Sequence, residues 1–478
     1  MLLRGSVAAV PVLALLSVAL PATVQHDAGG WVDWGRELLH GSLDTVWYPS
    51  WKPLPVLITA PAALAGSAAP TIWLVAARAG AIAGVLLAAW TAERAAGRLA
   101  GVVAGIAVVF TPGWLEYALA GLVEPTVLAL VLGALACAVR QRPRVALGLL
   151  ALAALGRVEA WALLLGAAGW CVWRRTDRLL AAALVALVPA LWLGGDWLGS
   201  GDPMRGGFLA RLSGEAAAAA RAGEGVAALG PALATMVPVP VLLLACAAVT
   251  LGVRARSRVE PALAGAVVAW VGADAVLVSR GFAPSARFLL PAAGLLTVLA
   301  ADGLLRGLRA LPTAPRGLAA ATCLLAVVVV HWSTARTEVA EATWFARAEQ
   351  SLGRAVTAAG GPAAIRACGG ATTLEAFRPY LAWRLDEGTT AVRPRAELAF
   401  VLPHPGPPAP PAWTLAVHRP GAAVPGLRGR WRVLRHGAAR RLGCRAAAAR
   451  PRHRRARTPA GSALTSAPPR APAPLRRS

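Results

Sequence analysis

Lys52 is the only lysine in a chain of 478 residues whose other positive charges are all arginine. Asparagine is absent, so A-rich codons are avoided, and a lysine kept in the run Trp51-Lys52-Pro53-Leu54-Pro55 points to a chemical requirement. The same polar stretch carries His26, Asp27, Asp33 and Asp44. A carboxylate can take a proton from an attacking hydroxyl, and a compact ammonium can neutralise a phosphate. Carboxylates and a cation in one loop are the beginnings of an enzyme site.

Composition says what must position that loop. With 57% apolar and 15% charged residues, the chain has too many long apolar runs for a water-soluble domain, and a bilayer span needs about 20 such residues. A polytopic membrane protein is expected. The formal net charge of +25 invites a nucleic-acid reading, but the arginines fall in short clusters between apolar runs, where they orient helices. Nucleic acid is therefore excluded as a partner. Apolar stretches at 5–24, 71–92, 99–110, 124–139, 145–155, 158–173, 179–198, 231–252, 261–279, 288–305 and 318–332 give about eleven transmembrane helices. Stretch 145–155 is short enough to be a half-helix shielded by its neighbours.

Arg4, Arg94 and Arg98, and the clusters at 140–144, 174–178, 254–258 and 306–316, fall on one side if every stretch crosses. That is the cytoplasmic signature, so the N-terminus is expected inside a cytoplasmic membrane and the acid-bearing loops outside it. The first stretch is expected to stay as an anchor, since no convincing small-x-small cleavage site follows it. The all-α membrane part is assigned to 1–333. Residues 334–445 are expected to form a small extracytoplasmic α/β or α+β domain, with an amphipathic segment at 338–359, strands near 398–402, 413–417 and 431–434, and a Pro-rich linker at 403–411. The basic Pro/Ala/Arg tail at 446–478 has no apolar period and cannot build a core. Cys137, Cys171, Cys246 and Cys323 lie within apolar stretches, whereas Cys368 and Cys444 share the outer region, where an oxidising compartment permits them to pair.

The loop after the first stretch reads His26-Asp27-Ala28-Gly29-Gly30-Trp31-Val32-Asp33-Trp34-Gly35-Arg36-Glu37-Leu38-Leu39-His40-Gly41, followed by Trp51 to Pro55. It resembles the GT-C class of integral-membrane glycosyltransferases, in particular bacterial aminoarabinose transferases and protein O-mannosyltransferases. Asp27, Trp31, Arg36 to Leu39, Gly41 and Lys52 to Leu54 carry the likeness. Leu122-Val123-Glu124-Pro125, Arg157-Val158-Glu159-Ala160-Trp161 and Arg287-Phe288-Leu289-Leu290-Pro291 extend it in the right order as far as Pro291. The second acid frequent beside the first is Ala28 here, a departure that leaves a divalent metal without support.

The resemblance implies transfer of a sugar from a polyprenyl-phosphate donor to a glycan, lipid or protein acceptor of the cell envelope, at the outer membrane face, by an inverting mechanism. Asp27 is then the candidate base, with Glu124 next in line, and Lys52 and Arg287 would clamp the donor phosphate. Asp33, Arg157 and Glu159 are candidates for lining the cavity. Rival functions are a transporter or flippase of lipid-linked sugars, and a catalytically silent GT-C-like scaffold. Structural roles compete with each assignment. Asp27 can serve as a helix cap, Lys52 can snorkel beside Trp51, Glu124 can answer the positive end of a helix, and Arg157 can neutralise Glu159. Trp31, Trp34, Trp47 and Trp51 are expected in an interfacial belt, and Asp196 and Asp274, near the outer ends of apolar stretches, are candidates to line the cavity or to pair with Arg280, with structural pairing the expectation.

Overall fold

The computed structural model describes residues 2–47, 49–310, 312–388, 392, 398–402, 410–423 and 430–434. Helices dominate, and several of them start where proline sets the backbone for a first turn. After α1 (Leu2–Leu16), a short extended segment leads into α2 (His26–Leu39), with Asp27 in its first turn. Pro53 opens α3 (Pro53–Ala62), which leads through a short 3₁₀ turn into α4 (Ala69–Ala96). Gly97, at φ 99°, makes the reversal into α5 (Arg98–Val109), a conformation that side-chain-bearing residues avoid. The short α6 (Trp114–Leu119) precedes α7 (Glu124–Val139), α8 (Pro143–Gly156), α9 (Ala160–Trp173) and α10 (Arg178–Ser200).

Two short helices, α11 (Arg205–Arg211) and α12 (Gly214–Ala222), sit between α10 and α13 (Leu229–Met236). Val237 and Pro238 then separate α13 from α14 (Val239–Arg254) with a bend of 94°. Both α15 (Val259–Ser279) and α16 (Ala286–Gly307) are long apolar helices, and α16 is the buried axis of the bundle, in contact with α4, α5, α7, α14 and α15. A side chain at Gly303 would collide with the Leu244 carbonyl oxygen. Small residues therefore set the distance at which α14 crosses α16, the usual device where lipid offers no hydrophobic drive between helices.

A helix lies at each apolar stretch expected from the sequence. Among the described residues five helical segments can cross a bilayer by length and composition, Pro53–Ala96, Arg178–Ser200, Val259–Ser279, Ala286–Gly307 and Thr313–Ala358, and six if the bent pair counts as one. The shorter apolar helices are Ala9–Ala19, Arg98–Val109, Glu124–Val139, Pro143–Gly156 and Ala160–Trp173.

Residue 333, where hydropathy falls, is not a helix end. It lies inside α17 (Thr313–Ala358), whose 46 residues extend about 70 Å at 1.5 Å per residue. No glycine or proline occurs between Gly317 and Gly353, so the amphipathic segment simply continues the apolar helix. Beyond it come α18 (Gly361–Ala367), β1 (Ala371–Thr373), α19 (Arg378–Leu385), β2 (Leu398–Val401), β3 (Thr414–Ala423) and β4 (Arg430–Leu434). The strands form one sheet in the order β1-β2-β3-β4, parallel between the first two and antiparallel thereafter. Trp344, Leu352, Phe377, Leu381, Phe400 and Trp413 fill a second core beneath it, and the Trp413 indole donates to Ala348 O at 2.9 Å. Cys444, most of the Pro-rich linker and the basic tail lie outside the described residues.

Candidate active site

Asp27 enters the site from the first turn of α2, and Arg287 reaches it from the first turn of α16. Arg287 Nη1 donates to Asp27 Oδ2 at 2.8 Å, and its Nε donates to Glu124 Oε1 at 2.8 Å. Glu124 opens α7 and is wholly buried. The same oxygen accepts from Arg157 Nη1 at 3.1 Å. Arg157 has extended backbone between α8 and α9, and it turns its fork onto Glu159, with Nε to Oε2 at 3.0 Å and Nη2 to Oε1. Its guanidinium also covers the Phe288 ring at 4.1 Å. Asp27, Arg287, Glu124, Arg157 and Glu159 thus alternate in charge along one continuous network. Pairing of this kind is the usual way in which charges are kept buried among apolar helices.

Lys52 stands at the N-cap of α3 and is buried, with Nζ 4.8 Å from the Trp31 ring centroid. Snorkelling toward water does not describe it. The interfacial belt expected of the tryptophans is also not what the structure contains. Trp31, Trp34 and Trp51 are buried, and of the four only Trp47 is exposed. Trp31 meets Trp73 edge-on at 5.8 Å, Trp34 lies 5.7 Å from Trp51, and the Trp51 indole donates to Leu191 O at 3.1 Å. These indoles wedge α2 and α3 into the bundle, where buried ring area outweighs an interfacial position; Trp34 also donates to Asp44 O at 2.9 Å, whereas the Trp31 N–H is buried without a partner among the described residues.

Burial pushes the Asp27 carboxyl up, but Arg287, a hydrogen bond with His26 and the nearby Lys52 together hold it well below the usual carboxylate range. His26 Nδ1 lies 3.3 Å from Asp27 Oδ1. Burial, reinforced by Arg287, brings Lys52 down to about 8, with Glu124 resisting. Three carboxylates therefore face two guanidiniums and one amine. Asp27 and Arg287 remain about one-fifth to one-quarter exposed, whereas Glu124 and Glu159 are sealed. Asp27 is thus open to solvent, while Glu124 stands behind Arg287. Arg287 Nη2 and Glu124 Oε2 are buried without a hydrogen-bond partner among the described residues.

Of the expected site residues, Asp33 lies outside this network. It is fully buried on another face of α2, where Arg36 reaches it at 3.2 Å. Burial, then the neighbouring Glu37, push its carboxyl well above the usual range against the pull of Arg36. Asp274 is buried with neither carboxylate oxygen bonded among the described residues, so the expected pairing with Arg280 is not formed. Asp196 accepts from Gly206 N at 2.7 Å instead. Sequence reasoning missed His26 as a partner of Asp27. It also missed Arg78, which donates to Ser17 O and Pro21 O at 2.5 Å and Leu119 O at 3.1 Å, tying down the segment before α2. A lone arginine within the apolar run of α4 was the available signal. Among the described residues no group of three or more His, Cys, Asp or Glu is placed to hold a metal ion.

The fold is similar to that of a solved structure. Over 84% of this chain and 93% of its own length, ArnT from Cupriavidus metallidurans bound to undecaprenyl phosphate superposes with a TM-score of 0.52 at 15% identity. The chain has a GT-C fold. A weaker likeness, TM-score 0.43 at 14% identity, links 70% of the chain to 56% of the archaeal oligosaccharyltransferase AglB from Archaeoglobus fulgidus in complex with an inhibitory peptide and a dolichol-phosphate. No protein-family model matches the sequence, and no curated protein matches it.

Proposed function

We propose that this GT-C chain is a glycosyltransferase that moves a sugar from a polyprenyl-phosphate donor to a cell-envelope acceptor on the outer face of the cytoplasmic membrane. One observation carries this reading: the Asp27–Arg287 ion pair lies at the accessible end of a buried charge network, with the only lysine of the chain in its field. ArnT, which shares the fold, is bound to undecaprenyl phosphate.

The donor phosphate takes the accessible side of the Arg287 guanidinium and the Lys52 ammonium, the first as a directed donor and the second as a point charge. Arg287 then shares its charge between phosphate and Asp27, and the Asp27 carboxylate becomes more basic. The acceptor hydroxyl oxygen attacks the anomeric carbon while its proton passes to Asp27. The bond from that carbon to the phosphate oxygen breaks, and polyprenyl phosphate departs with the electron pair, held by the same two cations. Attack opposite the leaving group inverts the anomeric centre. Glu124 and the Arg157–Glu159 pair keep Arg287 from following the phosphate.

Eleven crossings with an inside N-terminus put Asp27, Lys52, Glu124 and Arg287 on the outer side, together with the sheet-bearing region that follows α17. In that compartment Cys368 and Cys444 pair. The test is transfer by the purified chain in vesicles supplied with a polyprenyl-phosphate sugar and a membrane extract as acceptor. Label should appear in acceptor with the wild-type chain and not with Asp27→Asn. Equal transfer by both would dismiss the mechanism.

A further inference from the structure

α2 is clamped from two sides. Asp27, Trp31 and Trp34 succeed one another at four and then three residues, which places them on one helical face, the face turned to Arg287, Lys52 and the bundle. Gly29 and Arg36 are seven residues apart, about two turns, and look the other way. A Cβ at Gly29 would stand 2.8 Å from Pro379 Cβ, so backbone and α19 are in close contact there. Arg36 Nη1 donates to Asp386 Oδ1 at 3.0 Å, its Nη2 donates to the Glu387 carbonyl at 2.6 Å, and its guanidinium covers the Trp383 ring at 4.7 Å. A further link joins Thr23 to the buried Glu349 of α17 at 2.7 Å. The helix that carries the candidate base is thus bolted to the C-terminal region by groups that touch neither substrate nor the charge network.

We propose that Arg36 is a positioning residue, and that the docking of α19 on α2 through Arg36, Trp383 and Gly29 sets the place of Asp27 against Arg287. It rests on the glycosyltransferase reading above. Asp27 and Arg36 lie nine residues, two and a half turns, apart on one rigid rod, so loosening one end displaces the other. A shift of about 1 Å in a reacting group can cost on the order of a hundredfold in rate. Arg36 bridges Asp33 on its own helix and Asp386 and Glu387 beyond it, a fork that lysine cannot reproduce.

The test uses the full chain in vesicles and compares Arg36→Gln, Arg36→Lys and Trp383→Leu. We expect kcat to fall about tenfold or more in Arg36→Gln with donor KM little changed, and Arg36→Lys to recover part of it. The acid limb of the pH–kcat profile should move to higher pH, since Asp27 leaves the guanidinium that depresses it. A lower folded fraction alone reduces amplitude and leaves that limb in place, and such a result in Arg36→Gln would overturn the proposal. Should Arg36→Gln fail to fold because Asp33 is left unpaired, Trp383→Leu examines the same contact from the α19 side, with the same shift expected. Amide exchange over residues 26–35 gives a readout independent of transfer. Faster exchange in Trp383→Leu supports the coupling even if the wild-type chain transfers no sugar, which would count against the glycosyltransferase reading alone. Unchanged exchange overturns the coupling.

Discussion

The Lys52 ammonium lies 4.8 Å from the centroid of the Trp31 ring, buried beneath the loop helix that also carries Asp27. The indole face offers this cation a partner without neutralising it, so its charge stays available to an anion. Lys52→Ala is expected to weaken donor binding about 10- to 100-fold, the usual cost of losing a charged contact. Lys52→Arg should retain part of it. Titration of the purified chain with polyprenyl phosphate measures both, and wild-type affinity in Lys52→Ala would remove Lys52 from the phosphate site.

Donor affinity should depend on pH through the same amine. Its folded value is brought down to about 8, so the empty site carries the full ammonium below that pH and loses it above. Donor KM should therefore rise as pH climbs through about 8, and the rise should vanish in Lys52→Arg, whose charge persists. A wild-type KM that stays flat from about pH 7 to about pH 9 would contradict the assignment.

Asp27→Asn keeps the size of the side chain and removes the basic oxygen pair. Transfer should fall by about a hundredfold or more at unchanged membrane insertion, as expected on losing a general base. If near-normal turnover survives, the base lies elsewhere.

Glu124→Gln leaves Arg287 and Arg157 facing one another across a neutral amide. Unpairing a buried charge costs about 3 kcal/mol or more, so the melting temperature in detergent should drop clearly, with transfer falling as Arg287 loses its anchor. A variant as stable as the wild type would show that the two guanidiniums do not depend on this carboxylate.

Topology has its own check. Reporter fusions near Arg142 or Arg256 should read cytoplasmic, and a fusion after Ala359 extracytoplasmic. A cytoplasmic signal after Ala359 would put the sheet-bearing region on the wrong side for the proposed reaction.

Much of the helical frame was legible because lipid-exposed helices need uninterrupted apolar runs, and each run falls on helix, although the run at 231–252 is broken into α13 and α14. Order along the chain also brought Asp27, Lys52, Glu124, Arg157, Glu159 and Arg287 into view. What composition cannot report is which way an amphipathic side chain faces. Trp31, Trp34 and Trp51 have the chemistry of a belt, yet their burial depends on α3, α4 and α10 closing over them. Arg36 reads as a surface charge in the sequence. Its partner Asp386 comes 350 residues later, and no local period encodes such a meeting. The continuity of α17 was hidden for a simpler reason, since a drop in hydropathy marks the edge of the lipid and not the end of a helix.

That continuity has mechanical weight. A rod of 46 residues that packs on α5 and α6 near its middle and on α18 and α19 at its far end behaves as a lever arm between bilayer and sheet. One degree of tilt about that middle contact displaces the far end, about 35 Å on, by roughly 0.6 Å. Transmembrane helices adjust their tilt to the thickness of the lipid around them. An α17 seated in lipid would pass such a tilt to the face against which α2 is held, and transfer rates compared in bilayers of different thickness would show it.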